Sequence, residues 1–253
     1  MNGTLHTRVE AGIATICFAH PQSNSMPGDL LRRLALEIEL LGKSDEVRVM
    51  VLESEGNGAF CAGASFDELV SINDFETGKR FFSGFAQVIL AMRNAPKFVV
   101  ARIQGKAVGG GVGLAAAADL ALATEQASVK LSELAVGIGP FVVGPAVERK
   151  VGTSAFSQMS IDAGRWQSAA WAERNGLFYR VFPDVETLNQ EVQSLAVTLA
   201  AYSPMAMHDL KKVLWAGTDH WETLLYERAE ISGRLVLSEF TRNAIARFKS
   251  GQR

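Results

Sequence analysis

The stretch Phe98-Val99-Val100-Ala101-Arg102-Ile103 is followed by Gln104-Gly105-Lys106 and then by Ala107-Val108-Gly109-Gly110-Gly111. A mostly apolar run of strand length, a turn and a glycine triplet lead into small residues from Val112 to Asp119, which predict a helix. Backbone N–H groups at a helix start lack intrahelical partners and carry partial positive charge. Glycine leaves them open to close approach by a ligand carbonyl. The same layout occurs once earlier. Residues 47–52 predict a strand buried on both faces. Glu55-Gly56-Asn57-Gly58 forms a turn, and Ala59-Phe60-Cys61-Ala62-Gly63-Ala64-Ser65 is a small-residue loop running into a helix at Phe66. One glycine triplet needs no explanation beyond tight packing. Two junctions built alike suggest loops that each offer an N–H to one ligand oxygen, an oxyanion hole.

Working outward, residues 14–18 alternate in strand fashion, and His20-Pro21 with Ser23-Asn24-Ser25 supplies the loop after them. Leu30, Leu34, Ile38 and Leu41 then recur at helical spacing up to Gly42, with Ser25 as N-cap and Pro27 in the first turn. Strand, helix and strand predict a right-handed crossover unit. Downstream, residues 120–123 and 128–131 read as short strands, and Ser132-Glu133-Leu134 leads into a Gly/Pro-rich stretch through Pro145. From Pro183 the pattern is helical: Leu188, Val192, Leu195 and Leu199 mark one helix, Pro204 opens another, and residues 221–248 supply one or two more. The expectation is an α/β core over residues 1–190 and a helical C-terminal region over residues 191–253.

The 253 residues are 48% hydrophobic and 21% charged, the balance of a globular protein with a substantial core. With 25 Lys and Arg against 27 Asp and Glu, the net charge of −2 gives no broad field to draw nucleic acid or an anionic membrane, and neither is an expected partner. The richest apolar run, residues 107–123, is dominated by Gly and Ala and closed by Asp119, short of the ~20 apolar residues of a membrane span. Cys17 and Cys61 stand alone, with no disulfide framework or CxxC site, which fits a reducing cytoplasm. Residues 1–11 lack the cationic start and apolar block of a signal peptide.

Phosphate and hydrolase motifs fail on inspection. No GxxxxGK(S/T) surrounds the glycine run, Leu114 stands where GxGxxG needs its last glycine, and no GxSxG frames Ser65, Ser132 or Ser154. His6, His20, His208 and His220 are scattered, so no metal site is expected and each reads as a surface or capping residue. Met205, Met207, Trp215 and Trp221 read as core. Glu133 differs: it lies between Leu131 and Leu134, just before Gly137-Ile138-Gly139-Pro140, and burial there would raise its pKa toward values useful in acid–base work.

Together these residues resemble the crotonase, or enoyl-CoA hydratase/isomerase, superfamily over nearly the whole chain. Gly12-Ile13-Ala14-Thr15-Ile16 with His20-Pro21 and Asn24 is similar to that family's first strand and turn. The stretch from Gly58 to Ala64 is similar to its first oxyanion loop, and that from Gln104 to Gly111 to its second. The resemblance implies a spiral of ββα units with a helical C-terminal region. It places the oxyanion donors on the backbone N–H groups of Ala64 and Gly110, and a catalytic glutamate at Glu133. Ala62, Gly63, Ala64 and Ser65, with Gly109 and Gly110, would contact the substrate, an acyl-CoA thioester. Coenzyme A would enter as part of that substrate, with no resident cofactor and no metal, and the assembly would be a homotrimer or homohexamer built through the C-terminal helices.

The departures bear on the reaction. Gly113 stands where two-acid hydratases of this kind have a second glutamate, Ser65 replaces the usual Asp, Phe98 a frequent Pro, and Gln22 a frequent basic residue. A Δ3,Δ2-enoyl-CoA isomerase can work with one carboxylate, which Glu133 would supply. Gly109-Gly110-Gly111-Val112-Gly113-Leu114 together with Leu131-Ser132-Glu133 is similar to methylglutaconyl-CoA-type hydratases, which favours hydration of a 2-enoyl-CoA. A noncatalytic acyl-CoA-binding protein is the third reading. Residues facing the acyl tail are expected in loops at 72–82 and 141–144.

Overall fold

The computed structural model describes residues 3–249. Strands β1 (Thr4–Glu10) and β2 (Ile13–Ala19) pair as an antiparallel hairpin turned by Ala11 and Gly12 at φ of 49° and 81°. The first strand has no counterpart in the sequence reading, because its side chains are mostly exposed and leave no apolar pattern. Helix α1 (Gly28–Lys43) buries the expected stripe of Leu30, Leu34, Ile38 and Leu41. Its start corrects the expected cap. Ser25 bonds His20 Nδ1 through its hydroxyl at 3.0 Å, and His20 is buried. The first-turn N–H of Gly28 donates instead to Glu68 Oε2 at 2.7 Å, a carboxylate at the positive end of the helix.

Strand β3 (Val49–Ser54) runs parallel to β2, as the crossover predicts. Strands β4 (Val99–Ile103), β6 (Leu120–Thr124) and β9 (Arg180–Phe182) continue the sheet in the order β1-β2-β3-β4-β6-β9. One face carries Ala14, Ile16, Met50, Leu52 and Ala101 into the main core. The other presents Ile13, Val49, Val51, Val100 and Leu122 to Leu188, Val192 and Ala196 of helix α7 (Val185–Ala200). Burial of both faces accounts for the near-continuous apolar strands. The expected division at 190/191 falls within this helix. Strands β5 (Ala107–Val108), β7 (Ser128–Lys130) and β8 (Gln167–Ser168) form a second, smaller sheet.

Residues 72–82 correct the expected loop. After the short helix α2 (Phe66–Ser71), helix α3 (Phe75–Asn94) begins at Asp74, whose side chain accepts from Thr77 N at 2.8 Å. Most of α3 is buried, including Phe81, Phe82, Phe85, Val88, Ile89 and Met92. The small helix α4 (Gly110–Ala117) follows the glycine triplet, and α5 (Gly144–Ile161) and α6 (Ala169–Arg174) complete the core. Helices α8 (Pro204–Leu214), α9 (Trp221–Leu235) and α10 (Glu239–Lys249) form the expected helical end. Met207, Trp215 and Trp221 are core residues, whereas Met205 is exposed.

The helical end is pinned to the sheet by a buried ion pair. Lys211 Nζ lies 2.9 Å from Asp119 Oδ2, both side chains being nearly inaccessible. No helix among the described residues is long and apolar enough to cross a membrane.

Candidate active site

The two small-residue loops meet. Asn24 fixes the first one, donating from Nδ2 to the carbonyls of Glu55 at 3.0 Å and Ala59 at 2.9 Å, while Ala62 N donates to Ser23 O at 3.1 Å. Cys61 and Ala107 form an isolated bridge, in which Cys61 N donates to Lys106 O at 3.2 Å and Val108 N to Cys61 O at 2.9 Å. At the crossing, a β-carbon on Gly63 would lie 2.8 Å from Val108 O and 3.5 Å from Gly110 N, and Gly63 has a φ of +86°. Only glycine satisfies both the space and the backbone there.

Two N–H groups are left over. Met26 uses both its main-chain groups in a bridge with the first loop, taking Gly63 O at 2.8 Å and Ser65 N at 3.1 Å. Ala64, between them in the extended chain, therefore points its own N–H the opposite way, and no hydrogen bond from it forms among the described residues. Gly110 N, the first amide of α4, is likewise unpaired among the described residues, while Gly109 N donates to Lys130 O at 2.9 Å. A β-carbon on Gly110 would lie 2.1 Å from the Phe85 ring, so only the bare backbone fits under that ring.

Ala64 and Gly110 line one cavity together with Ala62, Gly63, Gly109 and Glu133. Six of the seven expected site residues thus share it. Ser65 lies outside its lining: its hydroxyl accepts Glu68 N at 3.4 Å as the N-cap of α2, and the residue is buried.

Glu133 opens a single 3-10 turn, Leu134–Val136, and its carboxylate lies against Gly109, where a β-carbon would be 3.0 Å from Oε1. Oε2 is inaccessible and has no hydrogen-bond partner. Burial raises the Glu133 pKa from 4.5 to about 7, with its own backbone N–H pulling weakly the other way. Opposite stands an apolar wall. A β-carbon on Gly113 would lie 2.4 Å from Val143 Cγ1, so the space that a side chain at 113 would need is filled by valine, which itself lines the cavity. Glu133 is the one carboxylate among the cavity-lining residues described.

Against known proteins, residues 8–248 match the profile of the enoyl-CoA hydratase/isomerase family. The chain belongs to that family. It is 30% identical over 247 residues to the Mycobacterium bovis protein named "Probable enoyl-CoA hydratase echA12", covering 94% of this chain and 85% of that one. In fold it is similar to the crystal structure of an enoyl-CoA hydratase from Mycobacterium avium subsp. paratuberculosis K-10, with a TM-score of 0.86 at 24% identity over 98% of this chain and 96% of the other. It is equally similar to an enoyl-CoA hydratase from Bacillus halodurans, with a TM-score of 0.88 at 19% identity over 96% and 98% of the two chains. The crotonase fold expected from the two loops is therefore the fold of this family member.

Sequence reasoning missed part of the cavity's apolar wall, Phe85 from α3, Leu69 from α2 and Ile138 after the 3-10 turn, whereas Phe82 falls within the expected stretch 72–82, there on a helix and not a loop. The expected tail-facing stretch 141–144 does supply Phe141, Val142 and Val143. A helical reading of residues 75–94 from the Asp74 cap would have found the two phenylalanines.

Proposed function

We propose that this protein binds an unsaturated acyl-CoA with its thioester carbonyl oxygen between the N–H groups of Ala64 and Gly110, and that Glu133 is its sole acid–base group. Segment 62–65 lies alongside the coenzyme A moiety through its backbone. The two amides stabilise the enolate oxygen, each such donor being worth about 3–4 kcal/mol of barrier, and the N-terminal end of α4 adds to the same field. A carboxyl poised near neutrality accepts and returns a proton with little driving force lost either way.

The observation that carries the choice of reaction is Val143 filling the space beside Gly113. Hydration with two acids needs a carboxylate there, and a reactive water needs 2–4 polar partners. An apolar wall beside one carboxylate favours a proton shift along carbon: Glu133 takes the C2 proton of a 3-enoyl-CoA, the C2–H electron pair forms the C1=C2 bond of a dienolate as the carbonyl electrons move to the thioester oxygen, and the C3=C4 electrons then take the proton back from the same carboxyl at C4 as C=O reforms and C2=C3 remains. This is Δ3,Δ2-enoyl-CoA isomerisation, with no net gain or loss of atoms. The second reading, hydration of a 2-enoyl-CoA, rests on the Ser132 hydroxyl lining the same cavity as the unpartnered Glu133 oxygen, which together could hold one water.

The deciding experiment incubates purified protein with a 3-enoyl-CoA and with crotonyl-CoA and follows conjugated enoyl absorbance and product mass. Conjugation without mass change is the expected result. Addition of water to crotonyl-CoA at the greater rate makes the protein a hydratase, and tight acyl-CoA binding without turnover makes it a binding protein. The kcat/KM of the reaction should rise with pH to a plateau, with an apparent pKa near the Glu133 value of about 7.

Assembly and location belong to the same proposal. Helix α8 exposes Met205, Leu210, Val213 and Leu214, an apolar surface suited to a homotrimer or homohexamer. Cys17 and Cys61 are pushed up to about 11 and about 12, chiefly by burial, which keeps both as inert thiols suited to the cytoplasm.

A further inference from the structure

One polar side chain in the cavity wall comes from a helix that carries none of the proposed chemistry. Ser232 of α9 is only 1% exposed, yet it lines the same cavity as Glu133, Phe82 and Phe85. Its hydroxyl makes no hydrogen bond to any described residue. It also differs from Ser160, whose unpartnered hydroxyl is wholly enclosed in protein. Ser232 is thus a nearly inaccessible serine in the wall of the acyl cavity.

Packing explains a small residue here but not a serine. Helices α3 and α9 approach so closely that a β-carbon on Gly78 would lie 2.8 Å from Gly233 O. Alanine at 232 would meet that demand without a buried hydroxyl, whose unmade hydrogen bond is a cost to the unliganded protein. The lining side chains Leu69, Phe82, Phe85 and Val136 are apolar and cannot bond the hydroxyl, so a ligand oxygen reaching this part of the wall would supply the partner that they do not. No Lys, Arg or His lines the cavity among the described residues, so an ionised substituent on the acyl tail would be buried without a counter-charge.

We infer that Ser232 is a specificity-determining residue that selects acyl groups bearing a neutral oxygen substituent, a hydroxyl or oxo group beyond C4, over plain hydrocarbon tails. The inference rests on the acyl-CoA reading above and adds the class of acyl group. A site built around a buried hydrogen-bonding group discriminates against a ligand that leaves it unpaired.

The test is a panel of 3-enoyl-CoA thioesters of equal length, one plain and the others with a hydroxyl at successive carbons beyond C4. It is run on the wild type and on Ser232→Ala, with the melting curve of the variant recorded alongside. At one position the hydroxylated substrate should exceed the plain one in kcat/KM by about 10-fold, the worth of one neutral hydrogen bond. Ser232→Ala should erase that preference, bringing the hydroxylated substrate to the kcat/KM of the plain one. The wild-type panel reads the preference whether or not the variant folds. Absence of any preferred position, or equal slowing of all substrates by Ser232→Ala, overturns the inference and leaves the isomerase reading intact. Calorimetry with the matching saturated acyl-CoAs separates the two layers. A Ser232-dependent binding preference without turnover sinks the reaction but keeps the selectivity, and failure to bind any acyl-CoA sinks both.

Discussion

Asp119 and Glu133 both hold carboxylate oxygen away from water, and the protein treats them in opposite ways. Asp119 Oδ1 accepts Trp215 Nε1 at 2.8 Å, and Oδ2 accepts Val99 N at 2.7 Å and Lys211 Nζ at 2.9 Å. Lys211 spends its remaining protons on the carbonyls of Met92 and Lys97, each at 2.8 Å. Glu133 Oε2 has no partner at all. A carboxylate with both oxygens engaged fixes the position of the chains around it. One left unpartnered in a cavity keeps its affinity for a proton. Burial alone does not single out a candidate acid; a buried oxygen without a partner, in one cavity with two free amides, does.

The sharpest way to break this contrast is Glu133→Gln, which should lower kcat by about 10²–10⁴-fold while the fold is retained. A variant within a few-fold of wild type would remove Glu133 from the chemistry. The same substitution should stabilise the fold, with a defined pH dependence. The wild-type carboxyl titrates near 4.5 when unfolded and about 7 when folded, so its folded form holds the proton longer. Wild-type stability therefore falls as pH rises through that window. Chemical denaturation should show no advantage for the glutamine variant below pH 4.5 and the full advantage above about pH 7.

Lys211→Met should have the opposite profile. It leaves Asp119 buried without its counter-charge and should cost about 3–5 kcal/mol of stability, with the turnover of the remaining folded fraction near normal. Loss of activity without loss of stability would mean that the ion pair does more than hold α8 to the sheet.

A smaller effect sharpens the contrast from the Glu133 side. Gly113→Glu drives a side chain into Val143 and should cost about 1–3 kcal/mol through overpacking, with no gain in water addition to crotonyl-CoA. Adding Val143→Ala should recover part of that stability and raise the ratio of hydration to isomerisation. If the single variant already hydrates, Val143 is not what closes the position. The smallest change is Ser65→Ala: loss of the α2 cap should lower stability by about 1 kcal/mol and leave the KM for acyl-CoA within about two-fold, less than 1 kcal/mol of binding.

Much of this was legible in the residues. The stripe on α1, the doubly buried strands β3 and β4, and both glycine loops follow from local rules, since side-chain period and glycine's freedom act within a few residues. Not all of the gaps have physical causes. Helix α3 has no such cause: its Asp74 cap and amphipathic spacing are local features that the loop reading of 72–82 passed over. Strand β1 hid because an exposed edge strand has little to bury. Ser65 was given to the substrate because sequence shows the small-residue loop but not whether its hydroxyl turns inward or back to Glu68.

The sequence by itself determined the class of the protein: two small-residue junctions, an isolated glutamate after a short strand, and no second acid at 113. Only the tertiary structure decided that these meet in one cavity, that Val143 fills the space beside Gly113, and that a serine from α9 enters the same wall. Those facts join positions 64, 110, 133, 143 and 232, and no local rule reaches so far along a chain. Such separations are bridged only when the sheet and helices pack and their burial fixes which surfaces face one another.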